Sequence, residues 1–149
     1  MIFLTIPFLM QAILIGADEW FFHLKRDLPK WERIGHPIDT LSVLICFAFL
    51  YYFPFSPLAL KWYIALALLS SILITKDEFV HKHHCPAAEQ WLHAVLFINH
   101  PILLSSAAIL WYHSPPLFPA FLLMQGCCVA AFMFYQIIYW NFVRDAKNN

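Results

Sequence analysis

The chain has 149 residues, of which 62% are hydrophobic and only 12% are Asp, Glu, Lys or Arg. Soluble globular domains carry roughly a quarter charged residues, so this composition predicts a single membrane-embedded domain covering residues 1–149. Nine basic and nine acidic residues balance to a net charge of zero, which gives no basis for expecting nucleic acid as a partner.

Five apolar segments approach or exceed the length of about 20 residues that a helix needs to cross a bilayer. They are residues 1–22, 38–53, 58–75, 94–112 and 117–142. Prolines interrupt the chain between the helices at one end: Pro54, Pro57, Pro115, Pro116 and Pro119. The first segment has no basic start and no small-residue cleavage site, so we expect a retained helix instead of a signal peptide. The pattern predicts an all-α integral membrane protein.

Basic residues are unevenly distributed between the two ends of the predicted helices. Eight lie after the first helix, between the third and fourth, or after the fifth: Lys25, Arg26, Lys30, Arg33, Lys76, Lys82, Arg144 and Lys147. Only Lys61 lies at the opposite end. Because Lys and Arg are enriched in cytoplasmic loops, we expect this end in the cytoplasm, with the N-terminus outside and the C-terminus inside.

The two longer connections at this end repeat one order of acidic and imidazole groups. The first, "ADEWFFHLKRDLPKWERIGHPIDT", contains Asp18, Glu19, His23, Glu32 and His36. The second, "KDEFVHKHHCPAAEQWLHA", contains Asp77, Glu78, His81, Glu89 and His93. Carboxylates three or four residues before an imidazole share its face of a helix. The repetition predicts that helices 1–2 and 3–4 are a duplicated hairpin forming a four-helix bundle, with helix 5 added.

Metal binding is the chemistry that this pattern favours. Soluble di-iron and di-manganese proteins build their sites from Glu and Glu-x-x-His groups on four facing helices. Mixed oxygen and imidazole ligands suit iron or manganese, whereas zinc sites usually take fewer ligands. The predicted ligands are Glu19, His23, Glu32, His36, Glu78, His81, Glu89 and His93, with Asp77 able to replace Glu78. Interfacial anchoring of the helix ends is the simpler alternative.

Further polar groups lie around this predicted cluster. Candidates for additional ligands, or for partners that orient the ligands, are Asp18, Asp39, His83, His84 and His100. His83 and His84 are adjacent and cannot both face one site on a regular helix. His100 lies two turns deeper than His93, either in a substrate cavity or, as we favour, hydrogen-bonded to another helix. Tyr139, Trp140 and Asn141 are close enough in depth to contribute a hydrogen bond to the cluster.

The four cysteines do not form the pattern of a disulfide framework. Cys46, Cys127 and Cys128 lie in apolar helices, where thiols behave as small hydrophobes, and Cys85 lies at the end expected in the cytoplasm. A redox role for the adjacent Cys127 and Cys128 stays open, since thiol reactivity needs exposure and a lowered pKa.

The segment "HKHHC", residues 81–85, resembles a histidine box of the membrane fatty-acid desaturases and hydroxylases. That family binds two irons through several such boxes at the cytosolic membrane face. The resemblance covers this motif and its placement, in a much shorter chain. It implies a non-haem site for two metal ions at the cytoplasmic face and leaves the substrate undefined.

These observations favour a membrane metalloenzyme that oxidises a lipid or other apolar substrate drawn from the bilayer, with electrons from a separate donor. A zinc-dependent hydrolase of a lipid ester or amide is the alternative enzyme. The non-enzymatic alternatives are a haem protein that uses His100 with another histidine, a metal transporter, and a structural membrane protein. Confinement of the polar groups to one face disfavours transport.

Overall fold

The computed structural model describes residues 2–26, 28–77 and 85–144, with the side chain of Asp77 left out. Those residues form α-helices and short helical turns, without a strand. The α-helices are α1, Ile6–Phe21; α2, Lys30–Tyr52; α3, Pro57–Leu73; α4, Ala87–His113; and α5, Phe118–Ile138. Single turns extend them at Ile2–Thr5, His23–Lys25, Ile74–Asp77 and Tyr139–Val143.

Each helix, taken with its terminal turns, is long and apolar enough to cross a membrane. The five segments are Ile2–Lys25, Lys30–Tyr52, Pro57–Lys76, Ala87–His113 and Phe118–Val143. In the described part of the chain, the structure is thus the all-helical, five-helix arrangement that the composition predicted. It indicates a multi-pass membrane protein.

Two of these helices begin about two turns earlier than the hydropathy pattern predicted. The predicted starts were residues 38 and 94, whereas α2 begins at Lys30 and α4 at Ala87. The extra turns carry polar side chains, which lower the local hydropathy, yet a proline precedes each of them with φ near −63°, ready for helix entry. These polar first turns carry the acidic and imidazole groups of the repeat.

The helices are arranged around the bundle in the order α1, α4, α3, α2, α5. The first helix packs mainly on α4, α4 on α3, α3 on α2, and α2 along α5. The last helix also touches the first, where the rings of Phe8 and Phe121 lie 5.0 Å apart. The sequence predicted a four-helix bundle with helix 5 added. In the structure α5 is instead a member of the ring, because it packs extensively on α2 and also contacts α1.

A compact core holds the helices together at the end that contains Pro54, Pro57 and Pro115, which we call the proline end. There Tyr63 donates to the carbonyl of Leu104 at 2.8 Å, and the indole of Trp111 donates to that of Phe53 at 3.0 Å. Close packing and interhelical hydrogen bonds stabilise helix association where lipid removes the hydrophobic driving force. The opposite, histidine end contains His23, His36 and His93.

Candidate metal centre

Asp18 lies between two histidine rings at the histidine end. Its Oδ2 is 3.1 Å from Nε2 of His93 on α4 and 3.2 Å from Nε2 of His23, in the turn that follows α1. Glu89, in the first turn of α4, completes the group, with Oε1 3.8 Å from Nε2 of His23. All four side chains are buried. We call Asp18, His23, Glu89 and His93 the central group.

The spacing within the central group matches what a small metal ion requires. One ligand atom from each residue lies within 4.8 Å of the others. Metal–ligand bonds of about 2.0–2.1 Å place neighbouring ligand atoms of a tetrahedral site roughly 3.3 Å apart. The measured separations of 3.1, 3.2 and 3.8 Å bracket that value. The two carboxylates and two imidazoles are therefore close enough together to bind one divalent cation.

Glu19 contacts His23 from the other side of its ring. Oε2 of Glu19 lies 3.2 Å from Nδ1 of His23, one helical turn away in sequence. Since a carboxylate only accepts, Nδ1 carries the hydrogen in this pair. The other Glu19 oxygen accepts from Tyr135 at 2.8 Å and from Trp140 at 3.1 Å, both on the last helix and its terminal turn. Glu19 thereby sets the tautomer and orientation of His23, as partners of metal-binding imidazoles do.

Nε2 of His23 is buried and lacks a hydrogen bond within the described residues. Its close neighbours are acceptor oxygens, Oδ2 of Asp18 at 3.2 Å and Oε1 of Glu89 at 3.8 Å. Among the described residues this buried nitrogen has no hydrogen-bond partner, and neither do Oδ1 of Asp18 and Oε2 of Glu89. Buried polar atoms are normally paired, so three such atoms in one group indicate room for a cation.

Arg26 links the two glutamates that the repeat places at equivalent positions. Its Nη2 lies 2.9 Å from Oε2 of Glu32 and 2.6 Å from Oε1 of Glu89, both fully buried. Each glutamate lies in the first turn of its helix, where the macrodipole favours an acidic group. The single positive charge of the guanidinium is shared by these two carboxylates. Asp18 and Glu19 contact histidines instead.

The surroundings of Arg26 fix two protonation states at the edge of the cluster. Hydrogen bonds and attraction from Glu89 and Glu32 outweigh desolvation and raise the pKa of Arg26, so the guanidinium stays charged. Its Nη2 also donates to Sγ of Cys85 at 3.4 Å. Burial raises the pKa of the Cys85 thiol to about 12, despite the nearby guanidinium. Cys85 is therefore a neutral thiol at physiological pH.

A second group of three side chains adjoins the central group. His36 on α2 has Nε2 4.0 Å from Oε2 of Glu32, and its ring centroid lies 5.0 Å from that of His23. His23, Glu32 and His36 could each offer an atom to one ion. We call these three residues the adjoining group. Because Nδ1 of His23 faces Glu19, only Nε2 is available to either group.

Two of the outlying candidates lie deeper in the bundle, in contact with other helices. Both oxygens of Asp39 accept from Nζ of Lys76 at 2.7 Å, which forms an ion pair between α2 and the turn after α3. Nε2 of His100 lies 3.0 Å from the hydroxyl of Ser70 on α3, which in turn lies 2.7 Å from that of Ser42 on α2. The expected interhelical hydrogen bond of His100 is confirmed.

The structure brings most of the described candidates together. Glu19, His23, Glu32, His36, Glu89 and His93 all lie in or beside the two groups, as does Asp18, which the sequence ranked only as an additional candidate. Glu78, His81, His83, His84 and the side chain of Asp77 lie outside the described residues. Of the three residues expected to contribute a hydrogen bond, Trp140 does so, whereas Asn141 donates to the carbonyl of Ile137 and the ring of Tyr139 stacks on Tyr135. Sequence reasoning did not assign Arg26 or Tyr135 to the cluster. A basic residue between two acidic pairs was the available signal for Arg26.

A cavity of about 320 Å³ begins at this cluster and extends towards the proline end. Asp18, His23, His36 and His93 form part of its wall at the histidine end. Deeper in the bundle the wall is mainly aliphatic and aromatic and includes Phe8, Val43, Phe47, Leu103 and Val129. An apolar pocket with a few convergent polar groups at one end is typical of a small-molecule site.

Comparison with protein-family models, with curated proteins and with solved structures found no match to this chain. The chemistry of the cluster is therefore inferred from its own geometry.

Proposed function

We propose that this chain is an integral-membrane metalloprotein whose central group binds a transition-metal ion and whose cavity presents an apolar substrate to it. The observation that supports this most directly is Nε2 of His23, which lies buried 3.2 Å from Oδ2 of Asp18 without a hydrogen bond between them. Where His23 is neutral with its hydrogen on Nδ1, the lone pairs of these two atoms would repel each other. A divalent ion removes this repulsion and satisfies the unpaired oxygens as well.

The donor set favours iron, with manganese as the nearest substitute. Two carboxylates and two imidazoles are the ligand types of non-haem iron sites, and four protein ligands leave positions open for small molecules. Iron bound there would supply dioxygen chemistry, with electrons from a separate donor. The chain's own contribution is to orient His23 through Glu19 and to keep water from the cavity by its apolar wall. We therefore propose oxidation of a lipid or another apolar molecule.

A second ion would occupy the adjoining group. When Nε2 of His23 binds an ion in the central group, it cannot also bind one in the adjoining group. A second ion would then need ligands in addition to Glu32 and His36. Glu78 and His81, outside the described residues, are the ligands we expect from the repeat. By the distribution of basic residues, we propose that this site lies at the cytoplasmic face.

A zinc-dependent hydrolase is the second candidate function, and the size of the central group favours it. Zinc usually has four ligands, so three protein ligands from this group would leave the fourth position for water. A zinc-bound water would attack a lipid ester or amide, and a neighbouring carboxylate would accept its proton.

Haem binding and metal transport fit less well. Oδ2 of Asp18 lies within 3.2 Å of Nε2 of both His23 and His93, so a carboxylate occupies the position that a haem iron would need between these rings. Nε2 of His100, the histidine considered for haem, lies 3.0 Å from the hydroxyl of Ser70. Within the described residues, the core at the proline end is closed by Leu50, Tyr63 and Trp111 and has no polar path for an ion across the membrane.

Metal analysis of the detergent-purified protein by mass spectrometry tests the proposal. We expect one to two iron atoms per chain in the wild type, with at least a tenfold loss in His23→Ala and His93→Ala. The matched control is His113→Ala, since His113 ends α4 at the proline end. One zinc atom per chain, lost in the same variants, would favour the hydrolase.

Absence of bound metal would contradict the proposal. If the wild type retains no metal after incubation with iron(II), manganese(II) or zinc(II), and His23→Ala unfolds at the wild-type temperature, the cluster neither binds metal nor stabilises the fold, and the proposal is wrong.

A further inference from the structure

The cavity beside the central group has an opening towards the membrane. Of its 24 lining residues, three are exposed: Ala12 and Gly16 on α1, and Cys128 on α5. The remaining lining residues are buried or half-buried. Since exposed lining residues mark the place where a cavity meets the surface, the opening lies between α1 and α5. We call Ala12, Gly16 and Cys128 the rim.

The first and last helices contact each other on both sides of this rim. Towards the proline end, the rings of Phe8 and Phe121 pack edge to face at 5.0 Å. Towards the histidine end, Tyr135 and Trp140 donate to Glu19. These contacts hold the two helices at fixed positions, so the gap between them is bounded above and below. All three rim residues have small side chains, and a Cβ added at Gly16 would meet no atom within 4 Å.

The rim lies within the two apolar segments, at the depth of the hydrocarbon core. Ile2–Lys25 and Phe118–Val143 both qualify as membrane spans, and the rim residues lie near their middles. Lipid acyl chains are what a lateral opening faces at that depth. The cavity wall next to the rim includes the apolar side chains of Ile15, Val129 and Phe132 and also two amides, those of Gln11 and Gln125. Its volume of about 320 Å³ is at the lower end of the range for ligand pockets, roughly 300–1,000 Å³.

We propose that the opening between α1 and α5 admits a single hydrocarbon chain of the acyl type from the bilayer and directs part of it to the central group. A straight chain fits the small volume and the rim of small side chains, whereas a bulky ring system does not. This inference rests on the proposed function for the chemistry at the central group, but chain binding itself does not depend on a metal. A free fatty acid and an acyl chain of a phospholipid are the two sources of such a chain.

Photo-crosslinking in lipid vesicles tests this inference. The probes are palmitic acid and a phosphatidylcholine, each with a diazirine near the end of one chain, in phosphatidylcholine vesicles. In the wild type we expect crosslinks on cavity residues such as Val43 and Phe97, located by peptide mass spectrometry. If just one of the two probes labels these residues, that result identifies the source of the chain.

Gly16→Leu is the blocking variant and Gly126→Leu its matched control. Both glycines lie within membrane helices and have no atom within 4 Å of an added Cβ, but only Gly16 lines the cavity. We expect Gly16→Leu to reduce crosslinking of Val43 and Phe97 at least tenfold and Gly126→Leu to change it less than twofold. Equal labelling in both variants, or crosslinks confined to lipid-facing residues in the wild type, would overturn the inference.

The adjacent cysteines provide a second test that does not replace a glycine. Both are exposed, but Cys128 lines the cavity and Cys127 does not. Alkylation of Cys128 with N-phenylmaleimide in Cys127→Ala should lower cavity crosslinking at least fivefold, while alkylation of Cys127 in Cys128→Ala should leave it unchanged. Equal effects of the two alkylations contradict the inference.

Metal content is measured in the same samples, so the two proposals can fail separately. Normal metal content without cavity crosslinks overturns the opening alone. Cavity crosslinks in a protein that binds no metal overturn the metal site alone.

Discussion

Asp18 and His93 are 75 residues apart in the sequence, yet Oδ2 of one lies 3.1 Å from Nε2 of the other. The contact joins the last turns of α1 to the second turn of α4 and is buried from solvent. His23 approaches the same oxygen to 3.2 Å, so a single carboxylate oxygen is shared by two imidazoles. This relationship defines the centre of the site and determines which substitutions should affect it most.

Asp18→Asn should abolish tight metal binding while the helices stay folded. The amide keeps the size of the side chain but removes the negative charge between the imidazoles of His23 and His93. Loss of an outer partner of a metal ligand costs roughly 10–100-fold in affinity, and we expect loss of this ligand to exceed about 100-fold. Metal titration followed by calorimetry measures the change. Affinity within threefold of wild type would show that Asp18 is not a ligand.

Glu19→Gln should weaken metal binding less than Asp18→Asn does. Glutamine can still accept from Tyr135 and Trp140, but it no longer offers a carboxylate to Nδ1 of His23, so the ring loses its fixed tautomer. The expected loss of affinity is about 10–100-fold. The same titration provides the measurement. A loss as large as that of Asp18→Asn would instead indicate that Glu19 binds the metal directly.

Arg26→Gln should destabilise the protein strongly. It leaves the buried carboxylates of Glu32 and Glu89 without their shared cation, and breaking a buried ion pair typically costs about 3–5 kcal/mol. Thermal unfolding in detergent should show a clear fall in the midpoint, and Arg26→Gln combined with Glu89→Gln should recover part of it. If the double variant is no more stable than Arg26→Gln, the two charges are not coupled in this way.

Ser70→Ala should lower stability without changing metal content. Ser70 is fully buried and links His100 on α4 to Ser42 on α2, so its removal leaves a buried imidazole nitrogen with one partner fewer. An unsatisfied buried polar group costs about 1–3 kcal/mol. Thermal unfolding and metal analysis of the same preparation check both parts. A fall in bound metal would place His100 in the metal site.

The expected orientation can be tested by labelling single cysteines in intact cells. In a background without Cys46, Cys85, Cys127 and Cys128, Ser114→Cys at the proline end should react with a membrane-impermeant maleimide. Lys30→Cys, at the start of α2, should react only after the membrane is opened. Both positions are exposed, so accessibility within the protein does not differ between them. The reverse pattern would place the histidine end outside.

Much of the architecture was determined by the sequence alone. Runs of apolar residues with almost no charge can satisfy their backbone in a bilayer only as helices, so number and class of the helices followed from composition. The four-residue spacing of Glu32 to His36 and of Glu89 to His93 predicted that each pair shares a helix face. Both pairs lie on helices that point them towards the cluster.

The tertiary structure decided how these pairs combine. Sequence order suggested two equivalent hairpins, but helix packing brought α1 against α4 and α5 along α2. Consequently Asp18 contacts His93 in the central group, and Arg26 bridges Glu32 and Glu89. Local periodicity determines which face of a helix a side chain occupies. It contains no information on which faces meet, because that depends on the packing of side chains far apart in the chain.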